Sequence, residues 1–228
     1  MSRFEAGDCP DVIVTAGGTR ENIDDVRYIG NFSSGRLGHA LAAEYAQAGL
    51  SVLLLAPNAA IDRFGLPDGQ VEHQPFTSAE SLRQAMLARS GAKIIMHAAA
   101  VADYMPERTE GKISSDQEEL TLKFKRVPKI LPLLRGHFGS ETTIVGFKLL
   151  SGVSREVLIE TATRQIADNK TDFCVANDLQ NLNNPSWGRL VHMVRPNREY
   201  ESFIGHPQTV ARRLAGAIAI KEYGHAKG

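Results

Sequence analysis

The sequence predicts an α/β protein with a Rossmann-like, three-layer fold: a mostly parallel central sheet, helices on both of its faces and a small antiparallel extension. Short aliphatic and β-branched runs, such as Val12, Ile13 and Val14 or SVLLLA at 51–56, read as strands buried on both faces. Stretches with apolar residues three or four apart alternate with them and read as helices. Such alternation gives βαβ units and a parallel sheet, whose ligands sit outside the carboxyl ends of the strands. At 228 residues and 43% hydrophobic, the chain can build one large core, and residues 1–228 are taken as a single domain.

The first strand ends at the glycine pair Gly17 and Gly18, where the missing Cβ atoms permit a sharp turn and close approach of a ligand. A helix follows with Leu37, Leu41, Tyr45 and Ala48 on one face and Gly49 as its stop. Pro57 closes the second strand, and a loop containing Pro67 and Gly69 leads to a short third strand at Val71 to Pro75. Thr77 with Glu80 reads as a capping box ahead of Leu82, Met86 and Leu87. KIIMH at 93–97 is the next strand. LTLKFK at 120–125 alternates with period two, as in a half-exposed antiparallel arm, and VPKILPLLR reads as a short helix with Pro128 near its first turn. TTIVGFKLL resumes the core sheet, and Ser154 caps a helix carrying Leu158, Ala162 and Ile166, with Asn169 near its end. DFCVAND is the last buried strand, ahead of a loop with Asn181, Asn183, Asn184 and Pro185. GRLVHMVRP and EYESFIG form a closing hairpin, and a final helix at about 207–223 buries Val210, Leu214 and Ile218 and exposes Arg212, Arg213, Lys221 and Glu222.

Lys plus Arg equals Asp plus Glu at 26 each, without a long basic block, which argues against nucleic acid or an anionic membrane as the main partner. The start MSRFEAGDCP has no apolar signal core and no stretch approaches the length of a membrane span, so a cytoplasmic protein is expected. Cys9 and Cys174 have neither metal-ligand spacing nor a disulfide framework, and both are expected to be inert.

Residues 12–38 carry the strongest chemical signal. Asn31, Ser33, Ser34, Gly35 and Gly38 lead into the first helix, whose opening N–H groups and macrodipole attract an anion. Serine before a helix is also commonly an N-cap, and glycine commonly a turn. The amide of Asn31 and the charges of Arg20, Arg27 and Arg36 exceed what one helix cap requires. After His97, the alanines of AAAVADY let a flat ring lie against the backbone, although alanine is also ordinary core filler. Asp103 suits a turn, a ribose hydroxyl or a metal, and Lys112 follows in a polar loop.

Rival chemistries lack their residues. GxGxxG does not follow the first strand, the second strand ends in Ala56, Pro57 and Asn58 with no acid for a ribose, and Tyr104 has Arg108 four residues on. These features oppose a nicotinamide-dependent oxidoreductase. No GxSxG and no HExxH is present. Phosphate cradles, an amide, a lysine and an acid remain, as an enzyme that polarises phosphates or a non-catalytic nucleotide-binding module would carry.

The series GGTRENIDDVRYIGNFSSGRLG, AAAVADY, GKISS, VPKIL and VGFKLL, in that order, resembles the phosphopantothenate–cysteine ligase (phosphopantothenoylcysteine synthetase) family between Val12 and Asp178. The resemblance implies a Rossmann-like dimer that makes an acyl-nucleotidylate from 4′-phosphopantothenate and a nucleoside triphosphate, then an amide with cysteine, in coenzyme A synthesis. It places Gly17, Gly18, Ser33, Gly35 and Gly38 on the substrate phosphate, Asn31 on the acyl-nucleotidylate and Lys112 in the activation step. It places Ala98, Ala99, Asp103, Lys112, Lys129, Phe147 and Lys148 on the nucleotide, with Mg²⁺ on the triphosphate and no dedicated protein metal site. It implies a free-standing form, because many bacterial members are fused to a flavin-dependent decarboxylase and read VGFAAET where this chain has VGFKLL, with lysine where this chain has Asn169. CTP is the expected nucleotide, with ATP the alternative.

Overall fold

The computed structural model describes residues 9–182 and 184–223, with side chains described as far as Ile218. The expected exposure of Lys221 and Glu222 falls beyond the described side chains, and Asn183 lies outside the described residues. The central sheet has eight strands. Six run parallel: β1 (Val12–Thr15), β4 (Val52–Leu55), β5 (Val71–Gln74), β6 (Ile94–His97), β9 (Thr143–Leu150) and β10 (Phe173–Asp178). The hairpin of β11 (Arg189–Val194) and β12 (Tyr200–Gly205) adds two antiparallel strands beside β10, giving the spatial order β12-β11-β10-β9-β6-β1-β4-β5. The two-stranded ribbons β2 (Arg20–Asn22) with β3 (Tyr28–Gly30), and β7 (Tyr104–Pro106) with β8 (Phe124–Arg126), lie outside it. The chain winds from β1 in one direction to β4 and β5, and in the other to β6, β9 and β10. The topological switch point therefore lies between β1 and β6.

Each strand of the β1, β4 and β6 set is buried along its whole length, as double-sided helix cover requires. Val12, Val14, Leu54 and Met96 face α1 (Arg36–Gln47) and α6 (Pro207–Tyr223), while Ile13, Leu53, Leu55 and Ile95 face α3 (Ala79–Leu87) and α4 (Leu131–Phe138). A third cluster packs α5 (Arg155–Asn169) on β10 and β11. Asp11 fastens the amino edge of the sheet: its carboxylate accepts from the Ser51 N–H at 3.0 Å and pairs with Lys93 at 2.8 Å. That pairing with Lys93 outweighs partial burial and holds the Asp11 pKa below the usual carboxylate value.

Helix ends differ from the sequence reading in three places. The capping box of α3 is formed by Ser78 and Ser81 rather than Thr77 and Glu80, since Ser81 Oγ accepts from the Ser78 N–H and Glu80 turns outward to Arg83. Pro132, not Pro128, stands in the first turn of α4, because its missing N–H falls where the helix needs none. A short helix, α2 (Asn58–Phe64), starts directly after Pro57 where only a loop was expected; with Ala60 its single buried residue, it offers almost no apolar period to read. The arm at 120–125 pairs with β7 through Phe124–Arg126, all three of them exposed, with the Lys123 carbonyl accepting from the Glu107 N–H beside them. Elsewhere the ends agree with expectation. Gly49 closes α1 in a Schellman arrangement, with Leu50 N–H on the Tyr45 carbonyl and Gly49 N–H on that of Ala46. Ser154 caps α5 by accepting from the Val157 N–H.

Gly38 sets how closely α1 approaches β1, because a Cβ there would stand 2.6 Å from Ala16 Cβ and 3.1 Å from the Thr15 carbonyl oxygen. Gly38→Ala gains about 1 kcal/mol of helix propensity but overpacks the contact by about 1–3 kcal/mol. Net destabilisation of up to about 2 kcal/mol is expected, read as a lower urea midpoint at unchanged m-value.

Candidate functional site

The loops after β1 and β6 are stitched to each other across the switch point. The Ala100 N–H donates to the Gly17 carbonyl at 2.8 Å, and the Thr19 N–H donates to the Ala100 carbonyl at 3.1 Å. Two threonine hydroxyls complete the seam: Thr15 Oγ1 accepts from the Ala99 N–H and Thr19 Oγ1 from the Ala102 N–H, each at 3.0 Å. Both threonines are fully buried, and without these bonds the loop amides would be buried unpaired. His97, at the end of β6, brings Nδ1 to 3.1 Å from Thr15 Oγ1.

The glycine-rich entry to α1 lies against this seam. Gly17 has φ 83° and faces Pro57, whose Cδ would be 2.7 Å from a Cβ. The Asn31 carbonyl oxygen occupies the space beside Gly18, 2.7 Å from where a Cβ would be, with Ser33 also adjacent. Gly35 has φ 77° and stands against the Gly17 N–H. Gly35 is itself the N-cap of α1, and no side chain caps that helix. The serines therefore do not serve as caps in the usual way; Ser34 reaches only the Arg36 N–H, at 3.4 Å. Gly17, Gly18, Asn31, Ser33, Gly35 and Gly38 thus come together, with the opening amides of α1 available to an anion. Gly38 contributes through the closeness of helix to strand.

The model for the DNA/pantothenate metabolism flavoprotein C-terminal domain matches residues 9–220. The chain belongs to this family. It is 37% identical over 170 residues to the coenzyme A biosynthesis bifunctional protein CoaBC of Methanocaldococcus jannaschii, covering 74% of this chain and 40% of that protein. It is 35% identical over 171 residues to the Bacillus subtilis protein of the same name, again over 74% and 40%. The chain thus spans about two fifths of the length of these relatives. The DNA/pantothenate metabolism flavoprotein from Streptococcus pneumoniae superposes with a TM-score of 0.82 at 25% identity, covering 95% of this chain and all of that one. A Cab2 mutant in complex with phosphopantothenate-cysteine shares the fold, with a TM-score of 0.74 at 21% identity over 95% and 88% of the two chains.

Within this family fold the other expected site residues lie on neighbouring loops. Ala98 and Ala99 belong to the stitched loop, and Asp103 follows it, accepting from the Val127 N–H through its carbonyl and pairing with Lys129 through its carboxylate. Phe147 and Lys148 lie on the part of β9 that runs past the last residue of β6. Consecutive strand residues point to opposite faces, so they do not share one wall; Phe147 packs partly into the α1 and α6 side of the core. Lys112 is exposed, on a loop tied to the tip of the β2–β3 ribbon. There Asp24 accepts from the Ile113 N–H at 3.1 Å, and Arg27 donates to the Ile113 carbonyl at 2.8 Å. Burial favours a protonated Asp24, but N–H donors from Val26, Ile113 and Arg27 and the Arg27 charge prevail and lower its pKa. No contact joins Asn31 directly to Lys112 among those described; the ribbon connects them.

Thr15, Thr19, His97, Glu21 and Asp24 were not legible as site residues. Each positions a loop; Glu21, for instance, accepts from the Ala79 N–H at 2.9 Å and so docks the ribbon on the start of α3. A hydroxyl directly after a buried apolar run is the one available signal, and Thr15 carries it. Among the described residues no group of three or more His, Cys, Asp or Glu side chains is placed to hold a metal, and no helix is long and apolar enough to cross a membrane.

Burial lowers the His97 pKa to about 4, so the folded protein holds a neutral imidazole. Between that value and about 6.5 the unfolded chain binds a proton that the native state does not, so stability rises with pH through this window and falls on acidification. His97→Gln is expected to remove part of the stability loss between pH 7 and pH 5, measured by urea unfolding at both values. Burial also pushes the Cys174 thiol up to about 12, whereas Cys9 is exposed. Iodoacetamide is expected to label Cys9 and spare Cys174 in the native protein, as read by intact mass.

Proposed function

We propose that the chain is a phosphopantothenate–cysteine ligase, acting as a single synthetase-like domain over residues 1–228. The observation that carries this reading is the convergence of the Gly17–Gly18 turn, Asn31 and the uncapped start of α1 at the switch point of the sheet. The CoaBC relatives, whose name places them in coenzyme A biosynthesis, and the Cab2 complex with phosphopantothenate-cysteine support it.

In the proposed reaction the carboxylate of 4′-phosphopantothenate attacks the α-phosphate of a nucleoside triphosphate, forming a mixed anhydride and releasing pyrophosphate. The cysteine amine then attacks the acyl carbon, the nucleoside monophosphate leaves and an amide remains. The main-chain amides around Gly17, Gly18, Ser33, Gly35 and the first turn bearing Gly38 hold the substrate phosphate. The Asn31 amide donates to the acyl oxygen as negative charge develops there. Lys112 neutralises the triphosphate during activation, and the Asp103–Lys129 pair, Ala98, Ala99, Phe147 and Lys148 receive the nucleotide. Mg²⁺ bound with the triphosphate would screen its charge. The reacting cysteine is a substrate, in keeping with the burial of Cys174.

CTP is the proposed nucleotide, with ATP tested beside it. A homodimer is also proposed, supported by Val26, Tyr28, Ile29 and Phe32, which are exposed on and beside the β2–β3 ribbon. The proposed compartment is the cytoplasm, where coenzyme A precursors and nucleotides meet.

Pyrophosphate release from phosphopantothenate with CTP or ATP, followed by amide formation with cysteine, tests the reading. Asn31→Ala is expected to release pyrophosphate while amide formation falls about 10²–10³-fold. Lys112→Ala is expected to lose pyrophosphate release itself by about 10²-fold or more. Nucleotide binding without pyrophosphate release in the unsubstituted protein would mark a binding module instead.

A further inference from the structure

Arg189 opens β11, and because β11 runs antiparallel to β10 it begins on the carboxyl edge of the sheet, the edge that carries the candidate site. Its side chain shares a face with Val191 and Met193, which belong to the same core cluster as Ala40, Leu41 and Tyr45 of α1. The entry to the strand is fixed, since Gly188 has φ 84° and a Cβ there would stand 2.4 Å from the Gly205 carbonyl oxygen. The Arg189 Nε is buried without a hydrogen-bond partner, and Arg189 forms no ion pair among the described residues. Burial is the main cause lowering its pKa, and the nearby positive charge of Arg36 adds to it. A half-buried guanidinium held beside a like charge rather than an acid is costly unless an anion joins it.

Arg36 is the first residue of α1, whose amides carry no side-chain cap. The surroundings of Arg189 therefore combine a fork of donors with its Nε unpaired among the described residues, a second guanidinium and a helix start, which together match a dianionic phosphate better than a carboxylate or a neutral ring. Of the expected nucleotide residues, Ala98, Ala99 and Asp103 follow β6, Lys112 and Lys129 lie on later segments and Lys148 is on β9, while Phe147, also on β9, packs into the same α1 and α6 side of the core as Val191 and Met193.

The geometry points to Arg189 as a side-chain grip on the phosphate of phosphopantothenate, shared with Arg36 and the first turn of α1. This assignment rests on the ligase reading above. It makes Arg189 a specificity residue, one that separates the phosphorylated substrate from pantothenate, while the acyl end is handled at Asn31.

Steady-state kinetics with phosphopantothenate, pantothenate and the nucleoside triphosphate test it. Arg189→Gln is expected to raise the KM for phosphopantothenate about 10–100-fold, as loss of a charged hydrogen bond implies, and to leave the KM for the nucleotide within about twofold. The preference over pantothenate falls by the same factor. Inorganic phosphate competes with phosphopantothenate in the unsubstituted protein and less well in the variant. If the unsubstituted protein shows no turnover, the ligase reading fails. If it turns over and a folded Arg189→Gln keeps its KM for phosphopantothenate, or raises both KM values equally, the assignment to Arg189 is overturned. Should the glutamine variant not fold, Arg189→Lys, which keeps the charge but loses the fork, is read in the same way: a selective rise of several-fold supports the assignment and an unchanged KM overturns it.

Discussion

The seam between the loops after β1 and β6 is the constraint on which the candidate site depends. At a switch point the two central strands send their chains in opposite directions, so a crevice opens and its backbone groups lose their ladder partners. Here the crevice floor is closed by the hydroxyls of Thr15 and Thr19 and by the reciprocal bonds of Gly17, Thr19 and Ala100. With the floor satisfied by neutral bonds, no fixed carboxylate is required there, which suits the anion site proposed above. The opposite edge is arranged differently. Asp11, Ser51 and Lys93 hold it with charge.

Glycine acts at this site in two ways that sequence cannot tell apart. Gly17 and Gly35 have positive φ and shape the turns, while Gly18 and Gly38 leave room for the Asn31 carbonyl and for Ala16. The ligand-facing function read from SSGxxG is consistent with both, but much of the pattern is about bringing three segments within contact of one another. The same economy explains why Asn31 can be placed without a dense shell of side chains: its backbone is wedged beside Gly18, and its amide is left free to turn outward.

Most of the fold was legible because its signals are local and repeated. Buried runs such as VLLL at 52–55 admit one reading, and the apolar spacing of α5 and α6 another. The failures sit where local chemistry is degenerate. Thr77 and Ser78 are both acceptable caps, and only the reach of Ser81 decides between them. Pro128 and Pro132 both precede or open a helical pattern, and α2 has too little apolar surface to announce itself. Within the candidate site, the residues proposed to face ligands were named by type and resemblance. Thr19, Glu21 and Asp24 were not, because their importance comes from partners 58 to 89 positions away in the chain.

The attachment of the Lys112 loop to the β2–β3 ribbon has a mechanical consequence. The ribbon rests at one end on Gly18 and Thr19, through Asn31 and Gly30, and at the other grips residues 111–113 through Asp24, Asp25 and Arg27. Asn31 and Lys112 are therefore coupled through one ribbon. Lengthening the turn between β2 and β3, without touching either residue, would shift the Lys112 loop relative to Asn31.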